Sequence, residues 1–213
     1  MEVSVLNQGQ TESTPAFTLE RIKQLIALKT MPEISEVSLQ VLQVYFEQEI
    51  LPYKYKYECN NGLTLEFSVE KSEFCHLLFG TIDELVATPG RYKGNDGYTN
   101  IKNGIVTIDN LPSKIKGHAK YRIKTFIYLP LLLKNPQVIY FNPNIVDTKI
   151  PADFLLYKTF EKIAMHFFLK TVNNKTNRLA CLSFFHNEGD KYIAKQIQLK
   201  VKNVEVTKNN KLT

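Results

Sequence analysis

The chain of 213 residues holds three cysteines, Cys59, Cys75 and Cys181, and no Cys-x-x-Cys pair. So sparse and odd a set suits a reducing compartment rather than a disulfide framework. The four histidines, His76, His118, His166 and His186, form neither His-x₃-His nor His-Glu-x-x-His. No metal site and no cofactor are therefore expected. Long apolar runs are missing too. The longest, Phe126–Leu133, is broken by Pro130 and falls well short of the ~18 residues of a membrane span. The N-terminus carries Glu2 where a secretory signal needs basic residues. A cytoplasmic protein without membrane association is expected. Gly-x₄-Gly-Lys-Ser/Thr, Gly-x-Gly-x-x-Gly after a strand and Gly-x-Ser-x-Gly are all absent, which removes common nucleotide-binding and hydrolase readings. No close cluster of acids suggests a two-metal nuclease.

What is present is a globular composition with an uneven charge. Hydrophobic residues make up 44% and charged residues 23%, ordinary for a folded domain and against wholesale disorder. Lys plus Arg is 27 against 21 Asp plus Glu, a net charge of +6. Residues 1–51 hold seven acids against three bases, whereas residues 111–137 hold six bases and no acid. Residues 191–213 add six lysines against Glu205 alone. An acidic front and a basic back are the asymmetry expected of a polyanion binder, with a solvated lysine-rich surface as the plainer alternative.

The hydrophobic period predicts an α+β fold. Residues 1–16 read as a loose arm, 17–206 as one domain and 207–213 as a basic tail. Phe17–Leu28 is amphipathic, and Ser35 is a candidate cap for a second helix reaching Ile50. Tyr53–Glu58 and Leu63–Ser68 alternate around Asn60-Asn61-Gly62, a β-hairpin signature. Val69–Phe79 reads as helical with Gly80 as its stop, and Pro89–Gly97 as a loop. Leu111–Leu133 reads as a long basic helix, capped by Ser113 and ended or kinked by Pro130. Lys116, Lys120 and Lys124 recur along one flank, with Arg122 at the opposite edge of the apolar stripe. From Gln137 on, Val138–Phe141, Phe154–Phe160, Ile163–Val172, Leu179–His186 and Tyr192–Val206 read as strands. Asn173–Asn177 and Asn187–Asp190 serve as hairpin turns. The expected result is a C-terminal meander of four or five antiparallel strands, one face on the helices and one polar, basic face open. Lys170, Lys200 and Lys202 on that face join the helix lysines as nucleic-acid-binding candidates.

The chemistry available is a set of basic and hydroxyl groups without acids. Such a set can cut RNA, because the 2′-hydroxyl attacks its own phosphorus. The protein need only orient it, move two protons and neutralise developing charge. The order of short blocks is the second signal. Ser72-Glu-Phe-Cys-His76-Leu-Leu-Phe-Gly80 resembles the Phe-x-His-Leu-x-Gly segment of the phage-associated barnase–EndoU–colicin–RelE-like nuclease domains. Its glycine stands one residue further from the histidine. Asn100–Thr107, Tyr121–Phe126, Thr148–Tyr157 and Leu182–Phe185 resemble that branch's later blocks. The resemblance covers about Tyr53–Leu199. It implies helices ahead of a meandering antiparallel sheet and a metal-independent ribonuclease, often a toxin or phage-borne effector.

Carried over by position, the resemblance marks His76, Arg122, Thr148 and Ser183. The implied roles are His76 as general acid or base, Arg122 as phosphate clamp, and Thr148 and Ser183 as hydrogen-bond donors. His186 is a candidate second acid/base group. Each has a structural alternative. His76 can be a packing residue, Arg122 the partner of a carboxylate, Ser183 a small strand residue, Thr148 a loop cap and His186 a solvated turn residue. His166, between aromatic neighbours, reads as structural. Two further functions compete with RNA cleavage: a non-catalytic protein on the same fold that binds nucleic acid or a host or antidote protein, and an enzyme of another group-transfer chemistry.

Overall fold

A computed structural model describes residues 16–160, 163–173, 178–187 and 189–209. The expected arm lies almost wholly outside these, as does most of the Asn173–Asn177 turn and the end of the basic tail. Helix α1 (Leu19–Ala27) starts where Thr18 Oγ1 accepts from the Arg21 N–H. Helix α2 (Leu39–Glu49) is capped by Ser38, which accepts from Val41 N–H, and not by Ser35. The expected hairpin forms: strands β1 (Tyr53–Cys59) and β2 (Thr64–Ser68) pair antiparallel around Gly62 at φ 85°. A 3₁₀ turn over Lys71–Glu73 leads into α3 (Phe74–Phe79).

The glycines at 94 and 97 do not sit in a loop, as the sequence suggested. They open helix α4 (Gly94–Lys102), where Gly97 packs too closely on Tyr92 and Cys75 to admit a Cβ. The basic helix is shorter than its pattern. Helix α5 (Ser113–Thr125) tightens into a 3₁₀ turn at Phe126–Tyr128 before α6 (Leu129–Lys134). Pro130 has no N–H for the Phe126 carbonyl, so the α-ladder fails one turn upstream of it. The Phe126 carbonyl accepts instead from the Leu129 N–H, and the next carbonyl, Ile127, accepts from the Tyr45 hydroxyl at 3.0 Å.

Strands β3 (Gln137–Tyr140), β4 (Phe154–Phe160), β5 (Ile163–Asn173) and β6 (Arg178–Asn187) form the expected meander. The last expected strand divides into β7 (Ile197–Leu199) and β8 (Val201–Lys208). Asn187–Asp190 is not a hairpin turn, because β7 crosses to the far edge beside β3. β8 leaves this sheet and pairs with β1. The fold is thus α+β with two antiparallel sheets, β2-β1-β8 and β6-β5-β4-β3-β7. Among the described residues, no helix is long and apolar enough to cross a membrane.

One face of the five-stranded sheet packs on the helices through Leu156, Met165, Phe167, Leu169 and Phe184. The opposite face is not open and basic. Phe168, Leu155 and Ile139 on it are covered by Val146, Ala152, Tyr192 and Ile193 from the two long connections. Alternation of residues separates two faces correctly, but it cannot tell solvent from a covering loop. On the helical side, Phe74 of α3, Phe126 after α5 and Phe184 of β6 meet edge to face at 5.7 and 6.3 Å. This aromatic triplet registers α3 and α5 against the edge strand β6.

Candidate active site

That register lays side chains in series along the free edge of β6. The Glu73 carboxylate accepts from the Cys181 N–H at 3.2 Å. His76 Nε2 donates to the Leu182 carbonyl at 2.7 Å. Arg122 Nη1 donates to Ser183 Oγ at 3.2 Å and to the Phe184 carbonyl. The Tyr121 ring packs on His186, centroids 4.6 Å apart. The carbonyl that His76 uses belongs to a β-bulge. Phe168 pairs with Ser183 and Leu169 with Cys181, which leaves Leu182 as the extra residue. Bulges interrupt the ladder and re-aim groups next to functional sites.

A carbonyl can only accept, so Nε2 carries the hydrogen of His76 and Nδ1 the lone pair. Burial pulls the His76 pKa below its ordinary value. The Leu182 hydrogen bond opposes that shift, and the charges of Arg122 and Lys93 reinforce it. His76 is therefore a neutral imidazole at pH 7, in the protonation state of a base.

Arg122 is a desolvated cation. Its guanidinium lies 5.1 Å from the Phe185 ring centroid, and burial pulls its pKa down to about 10, still charged at neutral pH. Among the described residues, no carboxylate forms an ion pair with it. A buried charge without a counterion is costly. Ser183 accepts from Arg122, which leaves its own hydroxyl hydrogen to donate. Gly80 makes this packing possible. It ends α3 by donating to the His76 carbonyl at 2.8 Å, so the separation of four residues is the one an i→i−4 bond requires. Its φ of 70° and ψ of −154° are glycine territory. A Cβ there would stand 2.9 Å from Arg122 Cζ.

The structure thus brings His76, Arg122 and Ser183 to one place, with His186 following along the same strand. Thr148 is not tied to them by any contact among the described residues. Its hydroxyl accepts from the Ile150 N–H at 3.3 Å, a loop cap. The lysine candidates disperse. Lys116 and Lys120 are half-buried on α5. Lys124 is 8% exposed and pairs with Glu33 at 3.2 Å. Each four-residue step drifts by roughly 40° around a helix, which carries the third lysine off the flank. Lys170 is exposed on β5. Lys200 and Lys202 line a groove where β7 passes into β8. Four strand spacings put that edge about 19 Å from β6.

Three contributors escaped the sequence reading. His118 stands one helical turn before Arg122, and its pKa is lowered by burial and then by the Arg122 charge; the i, i+4 spacing was a usable signal. Lys93, paired with Asp83 at 2.5 Å, adds positive potential at His76. Glu73 holds the strand edge, but only tertiary structure shows it. Among the described residues, no group of three His, Cys, Asp or Glu is arranged to hold a metal ion.

The family model described as phage-Barnase-EndoU-ColicinE5/D-RelE like nuclease4 matches residues 39–213. No curated protein and no solved structure matches the chain.

Proposed function

Because the chain belongs to the phage-Barnase-EndoU-ColicinE5/D-RelE like nuclease 4 family, whose members' substrate is nucleic acid, we propose that it is a metal-independent endoribonuclease that works by 2′-hydroxyl transesterification. The observation that carries this reading is a desolvated Arg122 without a carboxylate partner among the described residues, beside a neutral histidine and a serine hydroxyl. A phosphodiester supplies the missing anion. Arg122 and the Ser183 hydroxyl hold its non-bridging oxygens and stabilise charge that grows in the transition state. His76 takes the 2′-hydroxyl proton on Nδ1, and the 2′-oxygen attacks phosphorus. The bond from phosphorus to the 5′-oxygen breaks, and His186 gives that oxygen a proton. The products are a 2′,3′-cyclic phosphate and a 5′-hydroxyl, and solvent exchange restores both histidines. Arg122 supplies the positive charge that a metal would otherwise bring. Thr148 has no part in this scheme. An effector or toxin role in the cytoplasm, with an antidote protein as partner, belongs to the same reading.

A second reading has its own observation. His76 Nε2 and Arg122 Nη1 both donate to β6 backbone carbonyls, which is what tying a sheet edge to helices requires. On that basis the chain is a non-catalytic nucleic-acid- or protein-binding member of the fold. One variant separates the two. His76→Ala is assayed for cleavage of total RNA in chelator, together with its melting temperature. An active-site histidine predicts a fall of roughly 10²–10⁴ in rate per folded molecule. A purely structural histidine predicts a lower melting temperature with the rate intact. Wild type that cuts no RNA moves the assignment to the binding reading.

A further inference from the structure

Tyr121 stands beside Arg122 on α5 and is 51% exposed although its ring is held against a partner ring. It does not belong to either hydrophobic core. Its ring rests on His186 at 4.6 Å with a 39° tilt, and the Lys120 ammonium lies 6.0 Å from its centroid. Half its surface therefore meets solvent while its position is held from beneath.

Its placement relative to the phosphate clamp is set by one strand. Arg122 engages Ser183, Phe184 and Phe185, and Tyr121 engages the next residue, His186. From the bulged Leu182 to His186 the strand advances about 13 Å, so the groups span a nucleotide and its neighbour rather than a long duplex. An exposed, pre-positioned aromatic ring with a lysine ammonium over it at 6.0 Å from the centroid, and beside it a guanidinium without a carboxylate partner among the described residues, matches the parts used for single strands: a stacking surface plus backbone cations. A base inside a duplex has both faces covered by its neighbours and cannot use such a surface. Lys116, one turn before Lys120, extends the cationic rim along the helix.

We propose that Tyr121, buttressed by His186, is a stacking platform for the unpaired nucleobase next to the phosphate held by Arg122, so that the substrate is single-stranded RNA. The proposal rests on the nuclease reading above for the identity of the phosphate. It is tested by binding, which does not need cleavage. Short single strands lacking the 2′-hydroxyl carry 2-aminopurine at one position, an abasic residue at that position, or a complementary strand. Stacking of one base on an aromatic ring is worth about 1–3 kcal/mol by alanine substitution. Wild type is thus expected to bind the base-bearing single strand roughly ten- to a hundredfold more tightly than the abasic strand, with altered 2-aminopurine fluorescence, and to bind the duplex weakly. Tyr121→Ala should erase that preference and Tyr121→Phe retain it, with melting temperatures within a few degrees of wild type because the ring lies outside the cores. Wild type that binds base-bearing and abasic strands alike overturns the platform. So does a Tyr121→Ala variant that keeps the preference. If the preference depends on Tyr121 but wild type cuts no RNA, the platform stands and the nuclease reading alone falls.

Discussion

Gly80 joins the end of α3 to the seat of Arg122, and Gly80→Ala perturbs both in a calculable way. The φ of 70° with ψ of −154° lies in a region that is essentially glycine-only, costing about 1–3 kcal/mol for a residue with a Cβ. The new methyl would stand 2.9 Å from Arg122 Cζ, against the ~3.5–4.0 Å of a relaxed carbon contact. The guanidinium must therefore shift by about half an ångström or more, against its hold on Ser183, Phe184 and Phe185. Overpacking of this kind adds about 1–3 kcal/mol. The combined loss of about 2–6 kcal/mol corresponds to a fall of roughly 4–24 °C in melting temperature for a chain of this length. Gly62→Ala is the control. Gly62 also has a positive φ, 85°, but nothing lies within 4 Å of its ideal Cβ, so it should lose only about 1–2 kcal/mol. Thermal melting of both variants isolates the Arg122 contact. RNA cleavage per folded molecule should fall about a hundredfold in Gly80→Ala alone, since small misplacements of positioning groups cost about that much. Equal stability losses in the two variants, or full activity in Gly80→Ala, would refute the claim that this glycine seats the clamp.

Three further outcomes are expected. Arg122→Lys should lower kcat/KM by roughly 10²–10³, because an ammonium cannot bond Ser183 and Phe184 while holding a phosphate in a planar fork; steady-state kinetics on a defined RNA checks it, and a wild-type value would remove the clamp. His166 is fully buried, and among the described residues neither ring nitrogen has a hydrogen-bond partner; burial pulls its pKa from about 6.5 down to about 4. The unfolded chain takes the proton first as pH falls, so this contribution is complete above pH ~6.5 and is lost on the way down to about 4, by about 3 kcal/mol. His166→Phe should flatten that part of the stability curve in denaturant titrations, and parallel curves for the two proteins would contradict the assignment. RNA binding should weaken with salt at a slope near −2 in log units, about 0.7 for each of Arg122, Lys116 and Lys120; a slope of about −3.5 would mean that the distant Lys200 and Lys202 also engage the strand.

The sequence by itself determined the element types and their order where a local period carries the signal. The Tyr53–Ser68 hairpin and the β3–β6 meander depend on side chains a few residues apart, and each appears at or near its expected limits; the basic helix starts near its expected limit but ends eight residues early. His76, Arg122 and Ser183 were legible as a set only because their blocks fall in a recognisable order; nothing local to His76 says that it meets a strand 106 residues away. Tertiary structure decided the rest, for physical reasons that no short window contains. Pro130 breaks its helix upstream at Phe126 because the missing N–H acts on the preceding turn. β8 leaves the meander for β1, and two connections roof the face that alternation marked as open. Lys124 turns inward to Glu33 because helical drift accumulates. The edge of β6 gathers Glu73, His76, Arg122 and Tyr121 because Phe74, Phe126 and Phe184 lock three distant elements together, and close packing of that kind is a property of the assembled core.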